Sequence, residues 1–150
     1  GIDLAAIYRP LNNNFLNPIM ENIRKKYICK KQIKKGISGT KDLLKYFKSG
    51  TSIALMIDQR VSEGINSKLF GQQALTTTIP AQFVKKFNCK IVPVHIKRKN
   101  DNNFKLKVFK PLNFSNNQNI DAITLTLNSV LEKMIVENPG QWIWTHNRWK

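Results

Sequence analysis

Long apolar runs are missing from this chain: none approaches the roughly 18 to 20 residues needed to span a bilayer, and no signal-peptide pattern is visible. Membrane contact by these residues is therefore expected to be peripheral. Cysteine is scarce as well. Cys29 and Cys89 are the two present, far apart and without metal-ligand spacing, which points to reduced thiols in a cytosolic setting rather than a disulfide framework or a zinc site. There is no glycine-rich phosphate loop, no serine flanked by glycines in a nucleophile elbow and no His/Cys/acid cluster. These gaps argue against nucleotide-loop, serine-hydrolase and metal-centre chemistry. Acidic residues are the last shortage: 9 Asp+Glu face 25 Lys+Arg, a net charge of +16. Such a surplus attracts polyanions, whether nucleic acid, an anionic membrane surface, a phosphorylated lipid or an acidic carrier protein.

What is there suffices for one globular domain over residues 1–150, since 41% of the chain is apolar and 23% charged. The organising stretch is Ser52 to Ile96. Ser52 to Ile57 is an almost unbroken apolar run, as in a strand covered on both faces, and it stops at Asp58-Gln59-Arg60. A Ser/Gly/Asn-bearing loop and Leu69-Phe70-Gly71 follow, then a helix capped by Thr77 or Thr78 and carrying Ala81, Phe83, Val84 and Phe87. Ile91 to Ile96 reads as a second buried strand. Upstream, Ile2 to Tyr8 is a helix end or a strand, closed by Arg9-Pro10. Phe15, Leu16, Ile19, Met20, Ile23 and Tyr27 then recur at helical spacing, with Pro18 tolerated in the first turn. A basic run continues from Arg24 to Lys35. A second helix begins near Ser38 and ends at Gly50, whose lack of a side chain suits a left-handed cap. Downstream, Lys97 to Asn103 is a hairpin turn and Phe104 to Phe109 alternates as a half-buried antiparallel strand. Ile120 to Ile135 marks the longest amphipathic helix, ending at Asn138-Pro139-Gly140. The class is α/β, a mixed sheet flanked by helices.

Four blocks in order carry a resemblance. They are Tyr8-Arg9-Pro10-Leu11-Asn12-Asn13, then Asp58-Gln59, then Phe70 to Thr78 (FGQQALTTT) with Ile91-Val92-Pro93-Val94, and finally Glu137 to Lys150 (ENPGQWIWTHNRWK). Together they cover nearly the whole chain, and the chain resembles the second half of the bacterial lipid A biosynthesis lauroyl/myristoyl acyltransferases. The resemblance implies a glycerolipid acyltransferase fold, N-terminally truncated here. It also implies transfer of a fatty acyl group from acyl carrier protein thioester to a hydroxyl of a phosphorylated glycolipid, the lipid A precursor. No metal or organic cofactor is implied, and the setting is the cytoplasmic face of the bacterial inner membrane. One basic surface could serve the acidic carrier, the phosphorylated acceptor and an anionic membrane surface.

Acyl transfer to a hydroxyl needs a general base, a group orienting that base and donors for the oxyanion. The family draws the first two from a His followed five positions later by Asp or Glu. Here His95 is followed at that spacing by Asn100, and His146 has only four residues after it. The catalytic pair is thus expected upstream of Gly1, the chain being the C-terminal portion of a longer one, and His95 reads as a core histidine bonded to its neighbours. Substrate-binding candidates remain. Arg9 offers a guanidinium fork for carboxylate or phosphate, and the family's arginine there is a site residue. Asp58 could orient a basic residue or bind the acceptor sugar through hydrogen bonds, and Gln59 could do the latter too. Arg9 and Asp58 stand at the carboxyl ends of two strand-like segments, and neighbouring strands would bring them together. Thr76, Thr77 and Thr78 could present hydroxyls and helix-end amides to an anion, although capping explains at least one of them. His146 and Arg148 match the terminal block, where basic residues follow an aromatic strand in the family, while Asn147 and Trp149 depart from its more usual arginine and phenylalanine. Trp142, Trp144 and Trp149 could stack on bases or sit at a headgroup boundary; packing against the sheet is the plainer alternative. The rival reading is a non-enzymatic basic module for nucleic acid or anionic lipid. Zinc-finger spacing and an RNA-recognition signature are both missing, so the preferred reading has no nucleic-acid partner.

Overall fold

The computed structural model describes residues 1–149, the side chains of Ile37 and Ser38 excepted. The class is α/β, with seven strands and four α-helices among the described residues. The chain divides into two compact units, Gly1–Met56 and Ile57–Lys150, each taken by itself below.

The first unit is a parallel three-stranded sheet in the order β2-β1-β3, with β1 Leu4–Tyr8, β2 Lys31–Lys34 and β3 Ser52–Ala54. The open segment from Ile2 is thus a strand. Helix α1, Leu16–Tyr27, connects β1 to β2, and α2, Ile37–Lys48, carries the chain back across β1 to β3. Ala5, Ile33 and Leu43 are its buried apolar residues. Gly50 takes φ 82° after α2, as its glycine requires. β2 lies inside what reads in the sequence as a lysine run. Only Ile33 of its four residues is fully buried, and the neighbouring lysines conceal the strand. β3 stops at Ala54 rather than Ile57, and its burial is partial, not complete on both faces.

In the second unit β4, Ile65–Leu69, and β5, Gln72–Thr76, form an antiparallel hairpin where the sequence reads as loop. Its turn residues Phe70 and Gly71 both take positive φ, 51° and 77°, the requirement of a tight type I′ connection. A phenylalanine there is unusual, and its surroundings hold it: Phe70 N–H donates to Glu132 Oε1 at 2.5 Å, and its ring packs on the core. Helix α3, Ile79–Phe87, follows, ended by Asn88 in the left-handed conformation. Helix α4, Ile120–Glu137, is capped by the Asn119 side chain, which accepts from Ala122 N–H at 2.8 Å. Its buried residues Ile123, Leu127, Leu131 and Ile135 recur every fourth position, a stripe on one face. Leu131 and Ile135 pack on Leu69 and Ala74 of the hairpin, with Trp142 and Trp149 against them; Ile123 and Leu127 pack on Ala81 of α3.

The second hairpin, β6 Val94–Arg98 and β7 Phe104–Val108, is antiparallel as expected. It is not buried. Val94, Ile96, Phe104, Leu106 and Val108 are all exposed, so neither the covered strand expected at 91–96 nor the half-buried one after it is observed. His95 is accordingly no core histidine. Its Nδ1 lies 3.9 Å from Glu137 Oε2, beyond hydrogen-bond length. Residues 142–149 form turns and bends, not an aromatic strand. Trp142 packs on the core, while Trp144 stacks edge-on against Trp142 at 4.6 Å and is half exposed.

Candidate functional site

In the first unit, β1 connects outward to β2 on one side while the chain next enters the sheet at β3 on the other. The carboxyl ends of β1 and β3 therefore flank a topological switch point, the place where open parallel sheets leave a crevice for ligands. Arg9 is the first residue past β1 and its side chain is exposed. The loop that carries it is fixed by side-chain amides. Asn13 Oδ1 accepts from Phe15 N–H at 2.9 Å and Leu16 N–H at 3.1 Å, and Asn17 Oδ1 accepts from Leu11 N–H at 2.9 Å.

Beside Arg9, Tyr8 donates its phenol to Glu21 Oε1 at 2.7 Å, and the Arg24 guanidinium lies 5.0 Å over the Tyr8 ring. Burial, then the bond to Glu21, pushes the Tyr8 hydroxyl up to about 12. The same bond, with one from Asn17, holds the Glu21 carboxyl below the usual carboxylate range. This cluster ties α1 to the strand that presents Arg9, and no single sequence motif announces it.

In the second unit, Arg148 is fully buried, at 0% exposure. Its guanidinium donates through Nη1 to Leu75 O and through Nη2 to Thr76 Oγ1 at 3.0 Å. Burial lowers the guanidinium's pKa, and the Asp58 carboxylate opposes that shift. No ion pair within 4.0 Å joins the two among the described residues. Asp58 Oδ1 and Arg148 Nε are both shielded from solvent and lack a hydrogen-bond partner. Thr76 is the node of this network: its hydroxyl donates to Ala74 O at 3.0 Å and accepts from Arg148 and from Asn128 Nδ2 at 3.1 Å. Asn128 also bonds Lys68 O at 3.1 Å, so one polar residue on the apolar face of α4 ties both strands of the hairpin. A buried asparagine between Leu127 and Leu131 is a signal the sequence does carry.

The other candidates are distributed around this network. Thr77 is buried and its hydroxyl accepts from Ile79 N–H at 3.4 Å, while Thr78 Oγ1 accepts from Gln82 Nε2 at 2.9 Å at the start of α3. Gln59 is exposed. His146 is exposed too, its Nε2 accepting from Arg60 N–H at 3.3 Å. The structure thus joins Thr76 with Arg148, sets Asp58 near that pair and ties the His146 side chain to the residue after Gln59. It gives Arg148 the geometry of a scaffold rather than of a surface contact. Among the described residues no group of three His, Cys, Asp or Glu could hold a metal ion, and no helix is long and apolar enough to cross a membrane.

A comparison with protein families matches residues 2–150 to the family described as bacterial lipid A biosynthesis acyltransferase. Comparison with individual curated proteins gives no match. Members of the matched family are enzymes of the lipid A pathway, usually membrane-associated. The match spans both units, from the strand that presents Arg9 to the terminal segment that buries Arg148, and the chain belongs to the bacterial lipid A biosynthesis acyltransferase family.

Proposed function

We propose that this chain binds the phosphorylated glycolipid acceptor for transfer of a fatty acyl group from acyl carrier protein thioester to one of the acceptor's hydroxyls. The observation that carries the reading is Arg9, exposed just past β1 at the switch point of a parallel sheet in a lipid A acyltransferase. A guanidinium fork matches a phosphate with two parallel charge-assisted bonds. Within the second unit, taken by itself, Gln59, Thr78 and His146 are further substrate-binding candidates. Arg148, bonded to Thr76 with Thr77 next in the chain, sets its positive charge near the half-buried Asp58, whose carboxylate is suited to a sugar hydroxyl. The net charge of +16 favours both the acidic carrier protein and the anionic cytoplasmic face of the inner membrane.

Neither histidine of residues 1–150 serves as the general base in this reading. His95 sits on an exposed hairpin, loosely beside Glu137, and His146 holds a backbone amide. The test is a binding competition. The chain is expected to bind vesicles carrying the phosphorylated glycolipid saturably and to discriminate against the dephosphorylated glycolipid. Tighter, salt-sensitive binding to random nucleic acid, with none to the vesicles, would replace this reading with that of a basic nucleic-acid module.

A further inference from the structure

Helix α1 is docked by the wrong side for a globular protein. An amphipathic helix ordinarily turns its apolar stripe to the core and its polar face to water. In α1 the side that meets the sheet is polar: Asn17 and Glu21 bond one another and Tyr8, Arg24 lies over the Tyr8 ring, and Lys34 of β2 reaches Glu21 at 3.6 Å. Apart from the half-buried Met20, the apolar residues fall on the remaining face. Leu16, Ile19, Ile23 and Tyr27 share one stripe by their three- and four-residue spacing, and no residue of the helix is buried. Ile19 is 56% exposed, Tyr27 72% and Phe15, at the helix start, 90%. Twelve residues make a stripe about 18 Å long.

Charge decides what this stripe fits. Lys25, Lys26 and Lys30 are exposed, and none has an acidic partner within 4.0 Å among the described residues. Lys26 follows Ile23 by three positions and so borders the stripe, where a lysine stem can lie along apolar surface while its ammonium reaches outward. The one acid of the helix, Glu21, is turned to the sheet and engaged there. An exposed apolar stripe with Lys26 at its edge, over the Tyr27 ring at 5.1 Å, and the exposed Lys30 just past its end, on a helix otherwise rich in polar and charged residues, is the pattern of a helix lying in the plane of a membrane interface. A protein partner would need a matching acidic rim around an apolar groove. A bilayer containing anionic lipid supplies both at once.

The geometry points to α1 as an interfacial membrane-binding helix, its Leu16–Ile19–Ile23–Tyr27 stripe seated at the boundary of headgroups and acyl chains and Lys26 and Lys30 on anionic headgroups. This rests on the part of the proposed function that brings the chain to a membrane, and it names the element responsible. At the same carboxyl end of the sheet, the loop from β1 into α1 carries Arg9. Binding through α1 would therefore hold that loop near the headgroup layer, where a glycolipid acceptor presents its phosphates.

Flotation of the full 150-residue chain with vesicles of phosphatidylglycerol and phosphatidylethanolamine, against vesicles of phosphatidylcholine alone, tests it. Wild type is expected to float with the anionic vesicles. The Ile19→Ser/Ile23→Ser variant should lose at least about tenfold in vesicle affinity. Lys26→Gln/Lys30→Gln should lose about 25-fold, about fivefold for each cation near an anionic surface. Both variants change exposed positions, so their melts should match wild type. An Ile96→Ser/Leu106→Ser variant, on the exposed β6–β7 hairpin, should float as wild type does. Wild-type binding that survives both α1 variants, or that only the hairpin variant removes, overturns the assignment to α1 alone. Failure of wild type to bind any vesicle overturns the membrane reading with it. A concentration-dependent dimer dissolved by Ile19→Ser/Ile23→Ser, with vesicle binding intact, would show that a second copy covers the stripe instead.

Discussion

Replacing Arg148 by methionine separates a scaffold from a surface contact. The guanidinium donates two hydrogen bonds, to Leu75 O and Thr76 Oγ1, and sits where no water reaches it. Each bond from a charged donor contributes about 1.5–3 kcal/mol, so removing both costs about 3–6 kcal/mol. Methionine fills much of the volume and ends the desolvation of the guanidinium, which offsets part of that. Asp58, however, loses the positive charge that faced it while its Oδ1 stays shielded. Leu75 O and Thr76 Oγ1 are also left without their donor, and the expected loss for Arg148→Met is about 3–5 kcal/mol. Trp142, Trp144 and Trp149 all lie in the second unit, so their fluorescence in urea reports its unfolding directly. With a slope of about 2 kcal/mol per molar, the midpoint should fall by about 1.5–2.5 M. Adding Asp58→Asn should recover part of it, because the stranded carboxylate is then neutral. A midpoint within about 0.3 M of wild type would refute the scaffold role and leave Arg148 free for substrate.

Three further outcomes follow from the geometry. A Cβ on Gly64 would collide with the backbone carbonyl of Thr76, so Gly64→Ala should displace β5 and cost at least about 2 kcal/mol by the same fluorescence titration, with equal stability refuting the close approach. The Tyr8 hydroxyl, raised to about 12 in the folded state from 10.0, contributes stability that is complete below pH 10 and lost as pH rises toward 12. Tyr8→Phe should abolish that alkaline loss in pH-dependent unfolding, and an unchanged profile would place the titration elsewhere. Residues 1–150 supplied with acyl carrier protein thioester and acceptor should give no acylated product by mass spectrometry, since a general base contributes about 10²- to 10⁴-fold. Product that disappears in His95→Ala or His146→Ala would put the base in this chain.

How much of this was legible depended on whether burial followed local pattern. Helix α4 was, because Ile123, Leu127, Leu131 and Ile135 keep a four-residue repeat and all of them are buried. Helix α1 was legible as a helix but not in its orientation, since periodicity places the apolar stripe on one face without saying which face docks; Glu21 and Asn17 decide that through Tyr8. The β4–β5 hairpin was hidden by its turn, where Phe70-Gly71 replaces the Asn-Gly or Asp-Gly that announces a type I′ connection. Its stability comes from Glu132 and Asn128, about 60 residues away in sequence. For the candidate residues, identity was readable and environment was not. Arg9 and Arg148 look alike as basic residues next to aromatic or apolar segments, yet one is exposed past a strand and the other enclosed beneath a hairpin. That difference arises from tertiary packing of α4 and the terminal tryptophans, which no local window contains.

The most direct test of the account is the dissociation constant of the phosphorylated lipid A precursor, in neutral detergent, for wild type and Arg9→Ala. Arg9 is exposed and its side chain makes no ion pair among the described residues, so the two proteins should melt together. Losing one charge-assisted contact of about 1.5–3 kcal/mol should weaken binding by about 10- to 150-fold, with Arg9→Lys between the two and the dephosphorylated glycolipid insensitive to the change. An Arg9→Ala protein that binds the phosphorylated acceptor as tightly as wild type would contradict the claim that this arginine, at the switch point of the parallel sheet, holds the acceptor.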